Sequence, residues 1–579
     1  MSGDAGYLLV ADAADARDPA VEAALAALLR SGWTLRLDGF GLRILTGPRF
    51  PWPVAQVHRA HALIGEWRGE GAHPSAIAGR FPEGRPLGAG LMSEGWGAYL
   101  MVWRDRDGHL NLVRDPTGAV DVVWWRRGPV TLVTDCPPPA LDAVLPDTLA
   151  IDWPQLGALL ATPSLLTDGL PLQGLTPVGA GCWSRPDQDL PDEPLWRPAD
   201  FVRRGADDAP DALVRVVDRT IDRTMRSRRR VVSELSGGLD SAIVAGSLRA
   251  TGHAERAVFI NYYGDDAEGD ERRYAEAAAA LSGVPLETVR KPVEAISDAD
   301  FTTLASGLRP ALQGVDPAYD RHAAGRLAAL GADGLLTGQG GDSVFFQAPD
   351  PLVAADRFRR QGLRALNPAY LAAVGRWTRH SAWTVGRLAV RGRTQTGSGP
   401  RHRWLDDAAE LAPAKRGQLE RFVNCQLFWT DCLRARQAPL LNPFLSQPVV
   451  EHCLGVPSDR LTLGERDRGL ARLAFSERLP PLIAERRDKG DLSHFYGQVV
   501  RDSAPALAAF LLEGRLAAQG VLDRATLEVD LDPARLLWRE GANAPLLAAV
   551  LEAWARHWEG RIARRRTEVA RQPVEDVGV

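Results

Sequence analysis

Ser236-Gly237-Gly238-Leu239-Asp240-Ser241 is the stretch that decides the fold, because a glycine turn there joins a strand-like run to a helix-like run. The run before it, Val231–Leu235, opens with two valines, and the run after it, Ala242–Leu248, has helical composition. Consecutive glycines let the backbone turn sharply and bring its N–H groups close to an anion. The N-terminus of the following helix adds further N–H groups and the positive end of its dipole. The pattern predicts a loop that holds phosphate groups.

Asp240 places a carboxylate inside this phosphate loop. A carboxylate repels phosphate, so an acid inside a phosphate loop predicts a Mg²⁺ ion between the two. A second glycine loop, Thr337-Gly338-Gln339-Gly340-Gly341-Asp342-Ser343, follows another strand-like run, Leu335–Thr337. Neighbouring parallel strands bring their C-terminal loops side by side. We therefore expect Asp240 and Asp342 to share one Mg²⁺ ion.

From Asp208 onward, strand-like and helix-like segments alternate, which predicts an α/β domain with a parallel sheet and right-handed crossovers. The expected strands are Val231–Leu235, Ala257–Tyr262 and Leu335–Thr337. The expected helices are Asp211–Ser227, Ala242–Leu248, Glu271–Leu281, Leu419–Arg436, Arg468–Glu477 and Leu546–Trp558. The added helices dominate the end of the chain.

The first two hundred residues instead alternate short β-like runs with turns, which predicts an α+β layered sandwich of antiparallel strands. A proline-bearing stretch, Ser184–Asp208, predicts the boundary between a domain over 1–200 and a domain over 208–579. The expected strands are Tyr7–Val10, Thr34–Leu37, Leu42–Leu45, Tyr99–Trp103, Leu110–Val113, Val120–Trp125 and Val130–Val133, and the expected helices are Glu22–Leu29 and Pro53–Gly65.

The charge, the lengths of the apolar runs and the cysteine content exclude some classes of protein. The 579 residues carry a formal net charge of −4, which gives no electrostatic reason to expect a nucleic-acid partner. No apolar run approaches a membrane span and no signal pattern opens the chain. The five cysteines form no C-x-x-C pair, so we interpret them as reduced thiols of a cytoplasmic protein. The basic run Arg561–Arg566 is expected to be a solvated end.

The first loop resembles the signature of the ATP-pyrophosphatase group, which cleaves ATP to AMP and pyrophosphate; no Gly-Lys-Ser/Thr follows, as a Walker loop would require. Both loops together resemble those of the asparagine synthetase superfamily. The segments that extend this resemblance are Gly269-Asp270-Glu271-x-x-Tyr274-Ala275, Pro439-Leu440-Leu441-Asn442-Pro443-Phe444-Leu445, Arg468-x-x-x-Arg472-x-x-Phe475 and Arg487-Asp488-Lys489-Gly490.

The resemblance implies ATP and Mg²⁺ as cofactors and assigns roles to individual positions. It implies that Arg468 and Lys489 are catalytic, holding pyrophosphate and stabilising charge at the reacting centre. It implies metal ligands at Asp240 and Asp342. The positions that it implies for ATP binding are Leu235, Ser236, Gly237, Gly238, Asp240, Ser241, Ile260, Gly338 and Gly340.

The N-terminal half resembles the glutaminase domain of the same superfamily through Gly97-x-Tyr99-x-x-x-Trp103-x-Asp105 and Arg114-Asp115-x-x-Gly118. Glutamine-using members need a cysteine at position 2 as nucleophile. This chain has Ser2. We therefore expect an inactive glutaminase-like domain.

Without that cysteine, this chain resembles the superfamily members that close rings: β-lactam synthetases, carbapenam synthetases and lasso-peptide cyclases. The β-lactam type uses a Tyr–Glu dyad, but Tyr370 has no acid nearby in the sequence, and Gln339 cannot titrate. A peptide N-terminal amine, with a pKa near 8, needs less base. The chain therefore looks most like a lasso-peptide cyclase, or macrolactam synthetase.

That resemblance implies a linear precursor peptide as substrate and a leader-binding protease as partner. The cyclase would adenylate an Asp or Glu side chain, release pyrophosphate and let the peptide N-terminal amine close an isopeptide ring. Two alternatives stay open within the superfamily, a β-lactam-synthetase-like enzyme and an ammonia-dependent asparagine-synthetase-like ligase. A third is a non-catalytic subunit of a peptide-maturation complex.

Overall fold

The structure is a computed structural model that describes most of the chain. The described residues are 4–12, 17–58, 60–71, 73–163, 165, 168–264, 269–392, 402–487, 493–532 and 543–571. None of the helices in these ranges combines the length and the apolar character that crossing a membrane requires.

The N-terminal half is built from antiparallel strands. One sheet has the order β12-β8-β9-β1-β3-β2, a second has the order β14-β13-β7-β6-β5-β4, and β10 pairs with β11. The strands are β1 (Tyr7–Asp12), β2 (Thr34–Gly39), β3 (Leu42–Thr46), β4 (Val54–His58), β5 (His61–Gly69), β6 (Gly95–Arg104), β7 (Leu110–Arg114), β8 (Val123–Arg127), β9 (Val130–Thr134), β10 (Ala150–Ile151), β11 (Leu172–Gln173), β12 (Thr176–Pro177), β13 (Cys182–Ser184) and β14 (Glu193–Pro194).

Strand β1 shows how the layers form, because its side chains alternate between two apolar cores. Leu9 and its neighbours on one face pack with Ile64 and Leu100 of the second sheet. Leu8 and Val10 on the other face pack with the helix Pro19–Arg30. The period-two burial of a central strand thus stacks the two sheets against each other. The predicted layered α+β sandwich is confirmed at this level.

The predicted helix over Pro53–Gly65 is wrong, since this stretch forms β4 and most of β5. Its valines and alanines mimic a helical spacing. Strand β5, however, pairs with β6 along its whole length, from His61 opposite Trp103 to Gly69 opposite Gly95. This ladder of a central strand overrides local helix propensity.

The second half contains a parallel sheet with the order β17-β16-β15-β18-β19. Its strands are β15 (Val231–Glu234), β16 (Ala257–Tyr263), β17 (Leu286–Arg290), β18 (Leu335–Leu336) and β19 (Leu440–Leu441). All the pairings are parallel, so the expected α/β architecture is confirmed. Sequence patterns missed β17, a largely exposed edge strand, and β19, which has only two residues.

Helices cover both faces of this sheet and the outer face of the sandwich. They are α1 (Pro19–Arg30), α2 (Pro74–Arg80), α3 (Arg85–Glu94), α4 (Trp153–Ala161), α5 (Pro198–Arg204), α6 (Pro210–Arg226), α7 (Leu239–Ala250), α8 (Arg272–Ser282), α9 (Asp298–Leu304), α10 (Pro317–Leu330), α11 (Gly341–Val344), α12 (Val353–Gln361), α13 (Pro368–Thr378), α14 (Ala382–Arg391), α15 (Pro413–Asn424), α16 (Leu433–Gln437), α17 (Gln447–Gly455), α18 (Ser458–Leu461), α19 (Gly469–Ala474), α20 (Pro481–Ala484), α21 (Ser493–Leu512), α22 (Arg515–Ala518), α23 (Arg524–Asp530) and α24 (Asn543–Arg571).

The predicted helix over Leu419–Arg436 is broken into α15, a 3₁₀ turn and α16. The break has a tertiary cause. Asp320 of α10 accepts hydrogen bonds from the backbone N–H groups of Leu433 and Arg434 at 2.7 and 3.2 Å. A carboxylate from another helix thus caps α16 and starts it anew. The predicted helix from Arg468 likewise begins one residue later, because Arg468 adopts a left-handed backbone.

The basic run at the end of α24 is not a solvated end, contrary to the sequence interpretation. Arg561 is buried and donates hydrogen bonds to the Asp142 carboxylate and to the carbonyl oxygen of Pro137. Arg565 is also buried and donates to the Leu145 carbonyl at 2.8 Å. Two arginines four residues apart lie on one helix face, which here docks onto the N-terminal half.

Replacing Arg561 by methionine is expected to lower the free energy of unfolding by about 3 kcal/mol, because the buried Asp142 would keep, among the described cations, only the more distant and exposed Arg564 at 3.5 Å. The midpoint of thermal unfolding measures this. The exposed neighbour Arg566 is the matched control, and Arg566→Met should change stability by less than about 0.5 kcal/mol. An Arg561 variant as stable as the control would contradict the structural role of the pair.

Candidate active site

The two glycine loops lie next to each other at the carboxyl edge of the parallel sheet. Strand β15 ends at Glu234 and runs into the first loop and α7, and β18 ends at Leu336 and runs into the second loop and α11. Because β15 pairs directly with β18, the loops that follow them meet. This is the edge at which open α/β sheets bind ligands.

Glycine is required where the loops touch. A Cβ atom on Gly338 would lie 2.7 Å from the backbone nitrogen of Ser241 and 2.9 Å from the carbonyl carbon of Asp240. Gly237 has a φ of +86°, and a Cβ there would lie 2.8 Å from the carbonyl oxygen of Glu271. A side chain at either position would push apart backbones that must stay in contact.

Hydrogen bonds within the first loop hold it in shape. The Ser236 backbone N–H donates to Ser241 Oγ at 3.2 Å, and the Ser241 hydroxyl donates to the Gly238 carbonyl at 3.1 Å. Ser236 itself is exposed, and the N-terminus of α7 follows at Leu239. The loop thus presents a hydroxyl and a helix N-terminus to the cleft, an arrangement suited to anions.

The two predicted metal acids are brought together, and Arg468 joins them. Arg468 Nη1 donates to Asp240 Oδ2 at 2.9 Å and to Asp342 Oδ1 at 2.6 Å. The side chain of Asp240 is 11% exposed and that of Asp342 is 43% exposed. One acid therefore anchors the cluster in the interior, and the other faces the cleft.

Arg468 is held in place from behind. Its Nε donates to Asp467 Oδ2 at 3.1 Å, and Arg472 donates to the same oxygen at 2.8 Å. Its backbone is left-handed, with a φ of +50°, which is uncommon for a residue with a side chain. Strained backbone conformations of this kind persist where the surrounding contacts enforce them, and they are common at functional sites.

Opposite charges dominate the electrostatics of this cluster. Burial opposes the charged form of Arg468, but the carboxylates of Asp240, Asp342 and Asp467 outweigh burial and raise its pKa. The guanidinium therefore stays charged across the physiological range. It neutralises two acids that would otherwise repel each other.

The donor set fits a hard divalent cation. Two carboxylates that meet at one point supply the oxygen ligands that Mg²⁺ prefers, and Mg²⁺ commonly takes its remaining ligands from substrate phosphates and water. Within the described part of the chain, no group of three or more His, Cys, Asp or Glu side chains is placed to hold a metal ion. The protein residues present suit a metal that arrives with a phosphate.

The other predicted site residues differ in where they lie. Leu235 and Ile260 are fully buried, and their backbone groups bond within the protein: the Leu235 N–H donates to the Ile260 carbonyl at 2.9 Å, and Asn261 Nδ2 donates to the Leu235 carbonyl at 2.8 Å. Gly340 sits at the N-terminus of α11. Lys489 and Ser2 lie outside the described residues.

Sequence reasoning missed two supports of the site. Thr337 donates from its hydroxyl to Asn442 Oδ1 at 2.7 Å, which ties the second loop to the end of β19. Arg486 pairs with Glu271 and lies 3.8 Å from the ring centroid of Tyr274. Glu271 and Tyr274 belong to one of the motifs quoted above, but only the three-dimensional structure shows that Arg486 contacts them.

Tyr370 is not poised as a base. It lies on α13, and the Arg357 guanidinium stacks on its ring at 3.9 Å from the centroid. Burial raises the pKa of the Tyr370 hydroxyl above its ordinary value, so the phenolate form that a base requires is disfavoured.

The landmark residues of the N-terminal half have structural contacts. Arg114 is buried and donates to the carbonyl oxygens of Val120 and Val178, both at 2.7 Å. Asp115 accepts from the backbone N–H groups of Thr117 and Gly118 at 2.8 and 2.9 Å. These residues bind the turn after β7 to the rest of the sandwich.

Comparison with known proteins agrees with this geometry. The family model described as asparagine synthase matches residues 212–556, which include both glycine loops and Arg468. The Microcin J25-processing protein McjC of Escherichia coli is 24% identical over 247 residues. That match covers 42% of this chain and 44% of McjC, less than half of the relative's length. The superfamily resemblance predicted from the loops is confirmed, and the chain belongs to the asparagine synthase family.

Proposed function

We propose that the protein is an ATP-dependent ligase that closes a macrolactam ring in a linear peptide. It would transfer AMP from ATP to an Asp or Glu side chain and then join that side chain to the peptide's own N-terminal amine. The observation that carries the proposal is the meeting of Asp240, Asp342 and Arg468 beside a phosphate-type glycine loop.

The residues of the cluster suggest how ATP is held. Ser236, Gly238 and the N-terminus of α7 would bind the phosphates. Asp240 and Asp342 would hold Mg²⁺, which when bound neutralises charge on the leaving pyrophosphate. When the two acids hold a cation, the Arg468 guanidinium would be released from them to bind the phosphate oxygens. Planar guanidinium groups bind phosphate through paired hydrogen bonds.

The proposed reaction has two steps. A carboxylate oxygen of the peptide attacks the α-phosphorus of ATP, and the bond to the pyrophosphate oxygen breaks. The amine nitrogen then attacks the acyl carbon, AMP departs, and the nitrogen loses one proton. Arg468 would stabilise charge on pyrophosphate, and Lys489 would stabilise charge on pyrophosphate or the carbonyl oxygen.

Ring closure gains from confinement. A site that holds the amine beside the acyl-adenylate makes the attack unimolecular, which removes much of the entropic barrier. The similarity to a protein named for processing microcin J25 supports a peptide substrate. A leader-binding protease that delivers the linear peptide remains part of the proposal.

The two halves of the chain would have different roles in the reaction. We assign adenylation and ligation to residues 208–579, in the cytoplasm, and a supporting role to residues 1–200, a glutaminase-like domain without its cysteine. The contacts of Arg561 with Asp142 give this second role a physical basis, since they dock the end of the ligase half onto the sandwich.

Incubating the enzyme with ATP, Mg²⁺ and a leader-free linear peptide should yield pyrophosphate and a peptide lighter by one water. An N-terminally acetylated peptide is the matched control, because it keeps the carboxylate but lacks the attacking amine. We expect pyrophosphate and no dehydrated product from it. A product amidated by free ammonia would instead favour an asparagine-synthetase-like ligase, and a lack of pyrophosphate with every peptide would favour a non-catalytic subunit.

A further inference from the structure

A carboxyl group that the proposed mechanism does not use lies at the same edge of the sheet. The central strand β15 ends at Glu234, two positions before Ser236. The Tyr319 hydroxyl donates a hydrogen bond to Glu234 Oε1. Tyr319 lies in the first turn of α10, which leads from the β17 side of the sheet to β18. A crossover helix runs antiparallel to its strands, so its N-terminus shares the carboxyl edge with the glycine loops.

The charges around Tyr319 leave one acid without a cation. Lys291 Nζ pairs with Asp316 at 2.5 Å, and Arg434 pairs with Asp320 at 2.7 Å. Among the described residues, no cation lies within ion-pair distance of Glu234, whose hydrogen-bond donor is a neutral phenol. Three acids thus face two cations. Within the described part of the chain, the cluster therefore carries one negative charge without a paired cation.

Several other groups face Glu234 and fix its surroundings. Tyr262, at the end of β16, meets the Tyr319 ring edge-on at 5.0 Å between centroids. Tyr262 in turn lies within hydrogen-bond distance of His322, at 3.1 Å. The titratable and charged groups around the acid are Tyr262, Lys291, Asp316, Tyr319, Asp320, His322, Arg434 and Tyr496.

Desolvation destabilises the charged form of Glu234, and no paired cation from the residues that the structure describes compensates for this. Desolvation raises the pKa of Glu234, an effect that the Tyr319 hydrogen bond and the more distant Arg434 and Lys291 only partly offset. A desolvated carboxylate is stabilised by a proton or by a cation that enters beside it. Aromatic rings such as those of Tyr262 and Tyr319 also favour an ammonium group.

We propose that Glu234, positioned by the Tyr319 hydroxyl, is the subsite for the attacking amine: it binds the ammonium form and takes from it the proton whose loss frees the nitrogen lone pair. This inference rests on the proposed function, which brings an amine to an acyl-adenylate at this edge. As the nitrogen bonds to the acyl carbon, the bond from that carbon to the AMP oxygen breaks. The nitrogen loses a second proton to solvent as the amide forms, and the proton held by Glu234 follows to solvent after AMP departs.

Glu234→Gln keeps the size of the side chain and an acceptor for Tyr319, so it isolates the charge. Three rates should be measured: ATP–pyrophosphate exchange with the acetylated peptide, hydroxamate formation with hydroxylamine, and ring closure with the free peptide. Hydroxylamine is largely uncharged at neutral pH and needs no carboxylate. We expect exchange and hydroxamate formation to stay within about twofold, and ring closure to fall about a hundredfold at neutral pH.

The pH profile separates this role from a structural one. Without the carboxylate, only the fraction of amine that is already neutral can react. The defect of Glu234→Gln should therefore be largest below the amine pKa near 8 and shrink towards about pH 9. Tyr319→Phe should show a smaller defect of the same shape. Glu287→Gln, an exposed acid on β17, is the matched control and should behave as wild type.

Four results would overturn the inference. Ring closure by Glu234→Gln at the wild-type rate would show that the acid does not handle the amine. A loss of exchange together with weaker ATP binding would assign Glu234 to the nucleoside instead, and a defect independent of pH would make its role structural. A wild-type enzyme that gives neither exchange nor hydroxamate overturns the proposed function itself, and this inference with it.

Discussion

Asp342→Asn lowers ATP-dependent pyrophosphate release by at least about a hundredfold, and Asp240→Asn does the same. Each substitution keeps the shape of the side chain but removes one of the two charges that would hold Mg²⁺. The remaining carboxylate would stay paired with the Arg468 guanidinium, which both acids share in the structure, so less negative charge would be left to hold the metal. The loss therefore comes from weaker metal binding at the leaving pyrophosphate.

Two measurements check this expectation. Pyrophosphate release gives the rate, and calorimetric titration of Mg²⁺ in the presence of a non-hydrolysable ATP analogue gives the metal affinity. Asp298→Asn, an exposed acid in the first turn of α9, is the matched control and should leave both values unchanged. Activity within about tenfold of wild type in either site variant would refute a metal shared by these acids.

Gly338→Ala is expected to cost about a hundredfold in the same reaction while the protein stays folded. The added methyl group would lie 2.7 Å from the Ser241 nitrogen, so the two loops must separate. A displacement of about 1 Å between catalytic groups is enough for a loss of this size. Tryptophan fluorescence and the midpoint of thermal unfolding show whether the fold survives.

Gly325→Ala is the control for that substitution. Gly325 lies inside α10 and has open space around the position of a Cβ atom. Alanine there should keep activity and stabilise the protein by roughly 0.5–1 kcal/mol, because glycine is a poor residue inside a helix. Equal activity of both alanine variants would show that contact between the loops is not needed.

The sequence was most informative where local pattern and tertiary role agree. The glycine loops, the strands before them and the helix α7 follow directly from turn chemistry and apolar spacing. It was least informative where partners distant along the chain decide the outcome. The Pro53–Gly65 stretch became two strands because β6 pairs with β5, and α16 begins where it does because Asp320 caps it.

The same division holds within the site. Asp240 and Asp342 could be proposed from their loops, since each follows a strand end. That one guanidinium would bridge them could not be predicted, because Arg468 comes 126 residues after Asp342. The Glu234–Tyr319 pair left no local signal either. It joins a strand end to the first turn of a helix 85 residues later.

The most direct test of adenylation follows oxygen from the peptide carboxylate to AMP. A linear peptide carrying ¹⁸O in the side-chain carboxylate should be incubated with enzyme, ATP and Mg²⁺, and AMP, pyrophosphate and peptide should be analysed by mass spectrometry. Adenylation predicts one ¹⁸O atom in AMP, none in pyrophosphate, and a cyclic peptide lighter by the mass of one labelled water, because the missing ¹⁸O atom has passed to AMP. Unlabelled AMP, or label in inorganic phosphate beside ADP, would contradict activation of the carboxylate by adenylation.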